Sequence, residues 1–265
     1  MKVFISADIE GITGVTNWDE TLPGHMNYER ARNQMNLEVA SACRAALELG
    51  YEVVVKDGHD SALNLDGDKL PRGVQLISGW MTSPDSMMAG LDNTFDAALY
   101  IGYHSPEGSN TSSLAHTIEH ELFNWIKLND ELASEYTLNK LTADSYGVPS
   151  VFISGDRGIC DIARNEDENI VSVATKECTG NATWNMHPED AVDAIYFEVK
   201  RALQKDIKVP ELKDMYKITI NFKEHSKARR AAFYPGAIQI DSNTVEYVAK
   251  TPWEMRIAQM FMAEG

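Results

Sequence analysis

Cysteine is scarce in this chain of 265 residues: it occurs only at Cys43, Cys160 and Cys178. The odd number, the wide spacing and the lack of any C-x-x-C pair argue against a disulfide framework and give no thiolate zinc signature. Idle thiols of this kind belong to a reducing compartment. Basic residues are outnumbered, 24 Lys and Arg against 40 Asp and Glu, for a formal net charge of −16. So acidic a surface repels phosphate backbones, which argues against nucleic acid and anionic membranes as partners. The short basic run Lys227–Arg230 does not offset it. No apolar stretch approaches the roughly 18 residues that span a bilayer. The N-terminus carries one charge, a short apolar run and then Asp8, too little for a secretory signal, so a cytoplasmic location is expected. Repeats, low-complexity tracts and Pro/Ser-rich linkers are also missing.

What remains is an alternation of strand and helix in a chain long enough for a large core. Strands are expected at Lys2–Asp8, Glu52–Lys56, Val74–Ser78, Asp96–Tyr103, Ser150–Ser154 and Val171–Thr175. Helices are expected at Tyr28–Leu49, Glu131–Tyr146 and Pro188–Gln204. The first helix has apolar residues near helical spacing and stops at Gly50; the last starts with Pro at its first turn. After about Tyr216 come strands near Lys217–Phe222 and Val245–Val248 and a closing helix, Trp253–Ala263. The fold class is therefore α/β: three αβα layers around a mainly parallel sheet over residues 1–210. A smaller C-terminal α+β portion, 211–265, packs on it or continues it. Sites in such folds lie beyond the carboxyl ends of strands, which directs attention to Asp8, Glu10, His59, His104 and Asp156.

Asp8 and Glu10 follow an apolar strand at positions i and i+2, which in extended chain point the same way. Two adjacent carboxylates are unfavourable without a cation, and Gly11 and Gly14 let the backbone turn. Taken alone, the pair reads equally as a metal site or as a strand-to-loop junction with solvated acids. His59 ends the buried strand EVVVK, with Asp57 near enough to orient it. His104 ends a second apolar strand. Either histidine alone reads as structural. Two histidines from two strands with two acids from a third form a nitrogen-and-oxygen set that suits zinc, with manganese or cobalt next. A shared carboxylate allows two ions at roughly 3.5–4 Å, as in aminopeptidases and phosphatases. His116–His120 reads formally as HxxEH, the inverted zincin pattern. That pattern needs a long helix, the preceding Ser109–Ser113 is loop-like, and the four strand-end residues would be left without a task.

The chain resembles the DppA-type D-aminopeptidases, a family of self-compartmentalising zinc peptidases. The resemblance rests on SADIEGITGV at Ser6–Val15, NYERAR at Asn27–Arg32, KDGH at Lys56–His59, LISG at Leu76–Gly79 and GLDNTFDAALYIGYH at Gly90–His104. It continues with LAHT at Leu114–Thr117, EYTLN at Glu135–Asn139 and VPSVFISGD at Val148–Asp156, in one order, and becomes loose in the C-terminal third. It implies two zinc ions per subunit, with manganese or cobalt as substitutes, held by Asp8, Glu10, His59, His104 and Glu135, with Asp8 as the bridge. It places the catalytic histidine at His116, as proton shuttle, oxyanion donor or nucleophile. Glu135 comes from the resemblance alone, since its own surroundings read as an exposed helical acid. The implied activity is removal of N-terminal residues, D-alanine among them, from short peptides by a metal-activated water, inside a homo-oligomeric ring of ten. One departure stands out: Pro106 and Glu107 occupy a loop where the family has small residues and glycines.

Three other functions fit parts of the pattern. A phosphoesterase would use the same ligands. An enzyme acting on L-peptides or cell-wall peptides would differ only in pocket shape. A peptide-binding component of a transport system would need no catalysis, but the expected lack of a secretion signal argues against it.

Overall fold

The computed structural model describes residues 1–263. Its strands are β1 (Lys2–Ala7), β2 (Glu52–Asp57), β3 (Gln75–Ile77), β4 (Ala97–Tyr103), β5 (Phe123–Leu128), β6 (Glu131–Leu132), β7 (Ser150–Asp156), β8 (Val171–Thr179), β9 (Ala182–Asn185), β10 (Tyr216–Phe222), β11 (Ile238–Gln239) and β12 (Thr244–Ala249). Its helices are α1 (Tyr28–Glu48), α2 (Glu135–Ser145), α3 (Arg157–Glu166), α4 (Pro188–Ala202), α5 (His225–Ala231) and α6 (Pro252–Ala263). No helix among the described residues is long and apolar enough to cross a membrane.

Seven strands form the main sheet in the order β3-β2-β1-β4-β7-β8-β9, parallel except for the β8–β9 hairpin. The central strands β1, β2, β4 and β7 are buried on both faces because both faces are covered. On one face Val3, Ile5, Leu99 and Ile101 meet Val39 and Ala42 of α1 and Ile195 and Val199 of α4. On the other, Phe4, Ala98 and Tyr100 meet Tyr136 of α2 and Ile159 and Ala163 of α3. This is the three-layer α/β arrangement expected. From β1 the chain winds outward through β2 and β3, then returns to lay β4 on the opposite side of β1. The carboxyl ends of β1 and β4 therefore flank a topological switch point, where doubly wound sheets hold their ligands.

The second sheet is antiparallel, in the order β11-β12-β10-β5-β6. Three of its strands come from the C-terminal portion and two, β5 and β6, from the segment between His116 and α2. The expected helix over Glu131–Tyr146 is shorter for that reason. Its first residues pair as β6, Ser134 caps the N-terminus by accepting from the Thr137 amide at 3.0 Å, and the helix begins at Glu135. Helix α2 lies between the two sheets. Tyr136 and Ala143 face the main sheet, while Leu138 and Leu141 join Phe123, Ile218 and Ile220 in the second core.

Glycines let the central strands close at their carboxyl ends. A Cβ at Gly11 would stand 1.8 Å from the Tyr103 carbonyl oxygen, and Gly102 (φ +76°) would bring one 2.2 Å from that of Asp8. Gly11 thus serves close approach; the turn itself needs Gly14, at φ +80°.

Candidate metal centre

Asp8 and Glu10 lie just past β1, His59 past β2 and His104 directly after β4. Glu135 enters from the opposite side as the first residue of α2, and His116 from the connection between β4 and β5. All six are buried. An extended backbone is not what joins the first two acids. β1 ends at Ala7, the Ile12 amide donates to the Ile9 carbonyl at 3.1 Å, and this turn swings Glu10 back beside Asp8.

The six side chains meet in one place. His59 Nδ1 is 3.3 Å from Asp8 Oδ1 and 3.1 Å from Glu10 Oε2. His104 Nε2 is 3.4 Å from Asp8 Oδ2 and 3.4 Å from Glu135 Oε2. His116 Nε2 is 3.4 Å from Glu135 Oε1. Asp8 therefore turns one oxygen to each strand-end histidine. Each imidazole is fixed by its other nitrogen on a backbone carbonyl: His59 Nε2 on Thr21 at 2.9 Å, His104 Nδ1 on Ser105 at 3.0 Å, and His116 Nδ1 on Leu114 at 3.0 Å. If those nitrogens carry the proton, the lone pairs of the other three point at carboxylates, an arrangement that lacks a positive charge between them.

Without an ion the imidazoles themselves carry that charge: burial is outweighed by the carboxylates around them, which raise His59 well above its ordinary value and His104 to about 10. Burial and the adjacent Glu10 carboxylate push Asp8 well above the usual carboxylate range. Burial would raise Glu10 as well, but His59 beside it holds it well below. Glu135 is held at about 2, since His104 and His116 outweigh its burial. Asp8 Oδ2, Glu10 Oε2 and His104 Nε2 are buried with no hydrogen-bond partner among the described residues. Two sets are close enough to share a metal ion, Asp8-Glu10-His104 and His104-His116-Glu135. Two ligands each about 2.0–2.1 Å from a tetrahedral zinc stand about 3.3–3.4 Å apart. The N···O separations here, 3.1–3.4 Å, fit that spacing. The donor set thus fits zinc, and His116 lies as near Glu135 as His104 does.

The surrounding residues hold the loops rather than the rings. Asp57 does not orient the His59 imidazole; its carboxylate accepts from the amides of Asn64 at 2.6 Å and Leu65 at 2.7 Å and so closes the loop that carries His59. Asp156, a strand-end acid, stays outside the centre. It accepts from the Ser105 amide at 2.8 Å and hydroxyl at 2.6 Å, steadying the residue that holds His104. No sequence signal marked Lys176. Buried on β8, its ammonium donates to the carbonyls of Glu10, of Ile12 at 3.3 Å and of Val15 at 2.5 Å, pinning the turn that carries Glu10.

The HxxEH pattern has no helix beneath it: His116–His120 is irregular backbone. His120 instead stacks on Trp18, with ring centroids 4.0 Å apart, and Trp18 meets His116 edge-on at 5.2 Å. The centre opens into a cavity of 380 Å³ whose walls include Trp18, Trp80, Met87 and Ile118.

Comparison with known proteins agrees with this geometry. The sequence profile described as D-aminopeptidase matches residues 1–261. The D-aminopeptidase of Bacillus subtilis (strain 168) is 32% identical over 272 residues, covering 100% of this chain and 97% of its own. Among solved structures, the Zn-dependent D-aminopeptidase DppA from Bacillus subtilis, a self-compartmentalizing protease, superposes with a TM-score of 0.93 at 30% identity. That match covers 100% of this chain and 97% of that one. The chain belongs to the D-aminopeptidase family.

Proposed function

We propose that this chain is a zinc-dependent aminopeptidase that hydrolyses short peptides beginning with D-amino acids such as D-alanine. The observation that carries this reading is the cluster of six buried ligand groups with N···O separations of 3.1–3.4 Å and lone pairs left without partners. Asp8, Glu10, His59, His104 and Glu135 would hold the zinc. Bound zinc would supply Lewis acidity toward the scissile carbonyl and acidify a water.

The chain's own groups do the rest. Asp60 and Glu119, wall acids outside the ligand set, offer negative charge for the free substrate ammonium. Burial and the neighbouring His104 hold the His116 pKa below the ordinary histidine value, so its Nε2 is unprotonated at neutral pH. That nitrogen faces the centre and is placed to receive a proton and pass it to the leaving amine. Trp18 meets the imidazole edge-on, and Trp80, Met87 and Ile118 supply the apolar part of the cavity wall. A cytoplasmic location, where the three unpaired cysteines stay reduced, and a ring of ten copies complete the reading.

One experiment tests the assignment. The zinc-loaded chain is given matched D-alanine and L-alanine peptides, alongside Asp8→Ala and His116→Ala. The D-series should be cleaved faster. Asp8→Ala should lose zinc and activity together. His116→Ala should keep its zinc and lose roughly 10²–10⁴-fold in kcat. Full activity in His116→Ala would refute its role, and equal rates on both series would refute the D-selectivity.

A further inference from the structure

A second cavity, of 340 Å³, adjoins the metal cavity; Trp80, Ser86 and Ile118 line both. The two differ in charge. Asp8, Glu10, Asp60, Glu119 and Glu135 line the first. Among the described residues no acid lines the second, and its one charged residue is Arg256 of α6. In a chain of net charge −16, a cavity of this composition stands apart.

Arg256 is only 2% exposed. Its guanidinium donates from Nε to the Pro84 carbonyl at 3.1 Å and from Nη1 to Gln259 Oε1 at 2.7 Å. Nη2 is buried without a partner among the described residues. Asp85 is the acid that acts most strongly on the Arg256 charge, but its oxygens accept from Ser83 and Tyr146; the guanidinium keeps an unanswered N–H, and its planar fork suits a carboxylate. Gln259, another wall residue, spends its oxygen on Arg256, which leaves the amide's NH2 as a second donor. Trp80, Ile118 and Met260 supply apolar wall between the two charged ends.

A peptide has complementary ends. Its ammonium suits the first cavity, where Asp60 and Glu119 remain free acids once Asp8, Glu10 and Glu135 hold zinc, and its terminal carboxylate suits a cavity whose described lining has one cation and no acid. We propose that the Arg256 cavity is a subsite for the free C-terminal carboxylate of the substrate. This inference rests on the peptidase reading and narrows it: the substrates are small peptides with free C-termini, whose length is measured between the metal centre and Arg256.

The test compares D-alanine peptides of two, three and four residues with their C-terminal amides, on the zinc-loaded full chain. At one length the free acid should exceed its amide in kcat/KM by about 10-fold, carried mainly by KM, the scale of one charge-assisted hydrogen bond. Arg256→Met should abolish that preference and leave amide cleavage within about 3-fold. If the buried substitution prevents folding, Gln259→Glu, which adds a carboxylate to the cavity, should reduce or reverse the preference. Acid and amide within about 2-fold at every length in the unaltered chain would overturn the subsite alone. Cleavage of neither form at any length would remove the peptidase reading and the subsite with it.

Discussion

Asp8 and Glu10 were ambiguous from their position after an apolar strand alone, and became legible only together with His59 and His104, as two acids beside two strand-end histidines. Glu135 was not. Among the other acids of its segment it reads as surface, and only the placement of α2 between two sheets turns it inward. Lys176 was equally hidden, because a lysine near a strand end gives no sign that three carbonyls surround it. The same packing produces a buried acid outside the centre. Glu38 accepts from the Thr13 amide and from Gln34 Nε2, both at 3.1 Å, while its second oxygen has no partner among the described residues. Burial raises its pKa to about 7 from 4.5. Between those values the folded chain binds more protons than the unfolded one, so this contribution to stability is full below pH 4.5 and is lost as pH rises through 7. Glu38→Gln should flatten the decline in unfolding free energy over that window, measured by denaturant titration at several pH values. An unchanged slope would contradict the assignment.

At the scale of elements, the main sheet was readable from β1 to β8 because those strands carry apolar runs followed by a turn or a helix; the exposed β9 hairpin strand was not. Nor were β5 and β6 of the second sheet: β5 pairs with β10, 90 or more residues away, which periodicity cannot register, and β6 is a two-residue strand paired to β5. The turn from Ile9 to Val15 brings Glu10 back over the sheet, and Lys176 is its main tether from β8. Removing the ammonium leaves buried carbonyls without a donor, at a cost of about 1–3 kcal/mol. Lys176→Met should therefore lower unfolding free energy by about that amount and weaken zinc retention against a chelator. Wild-type zinc retention in a folded Lys176→Met chain would show that the turn holds without it. Gly11 and Gly102 matter at the same level, because the strand ends approach too closely there for any side chain.

Across the whole molecule, the two sheets and the helix between them bring groups from both ends of one face into a single site. The acid-lined cavity and its arginine neighbour are products of that assembly. Self-compartmentalization, stated of the Bacillus subtilis structure, is proposed for this chain as a ring of ten; light scattering should give ten times the mass of one chain, and a monomer at working concentration would contradict it. The central claim concerns the metal. Six buried ligand groups, three of them with an atom that lacks a hydrogen-bond partner among the described residues, are stable together only with positive charge between them. The most direct test is the zinc content per chain of protein purified without added metal, read together with peptidase activity before chelation and after zinc is restored. Two equivalents per chain, lost and regained in step with activity, is the predicted result; a chain that binds no zinc, or that stays inactive when loaded with it, would contradict it.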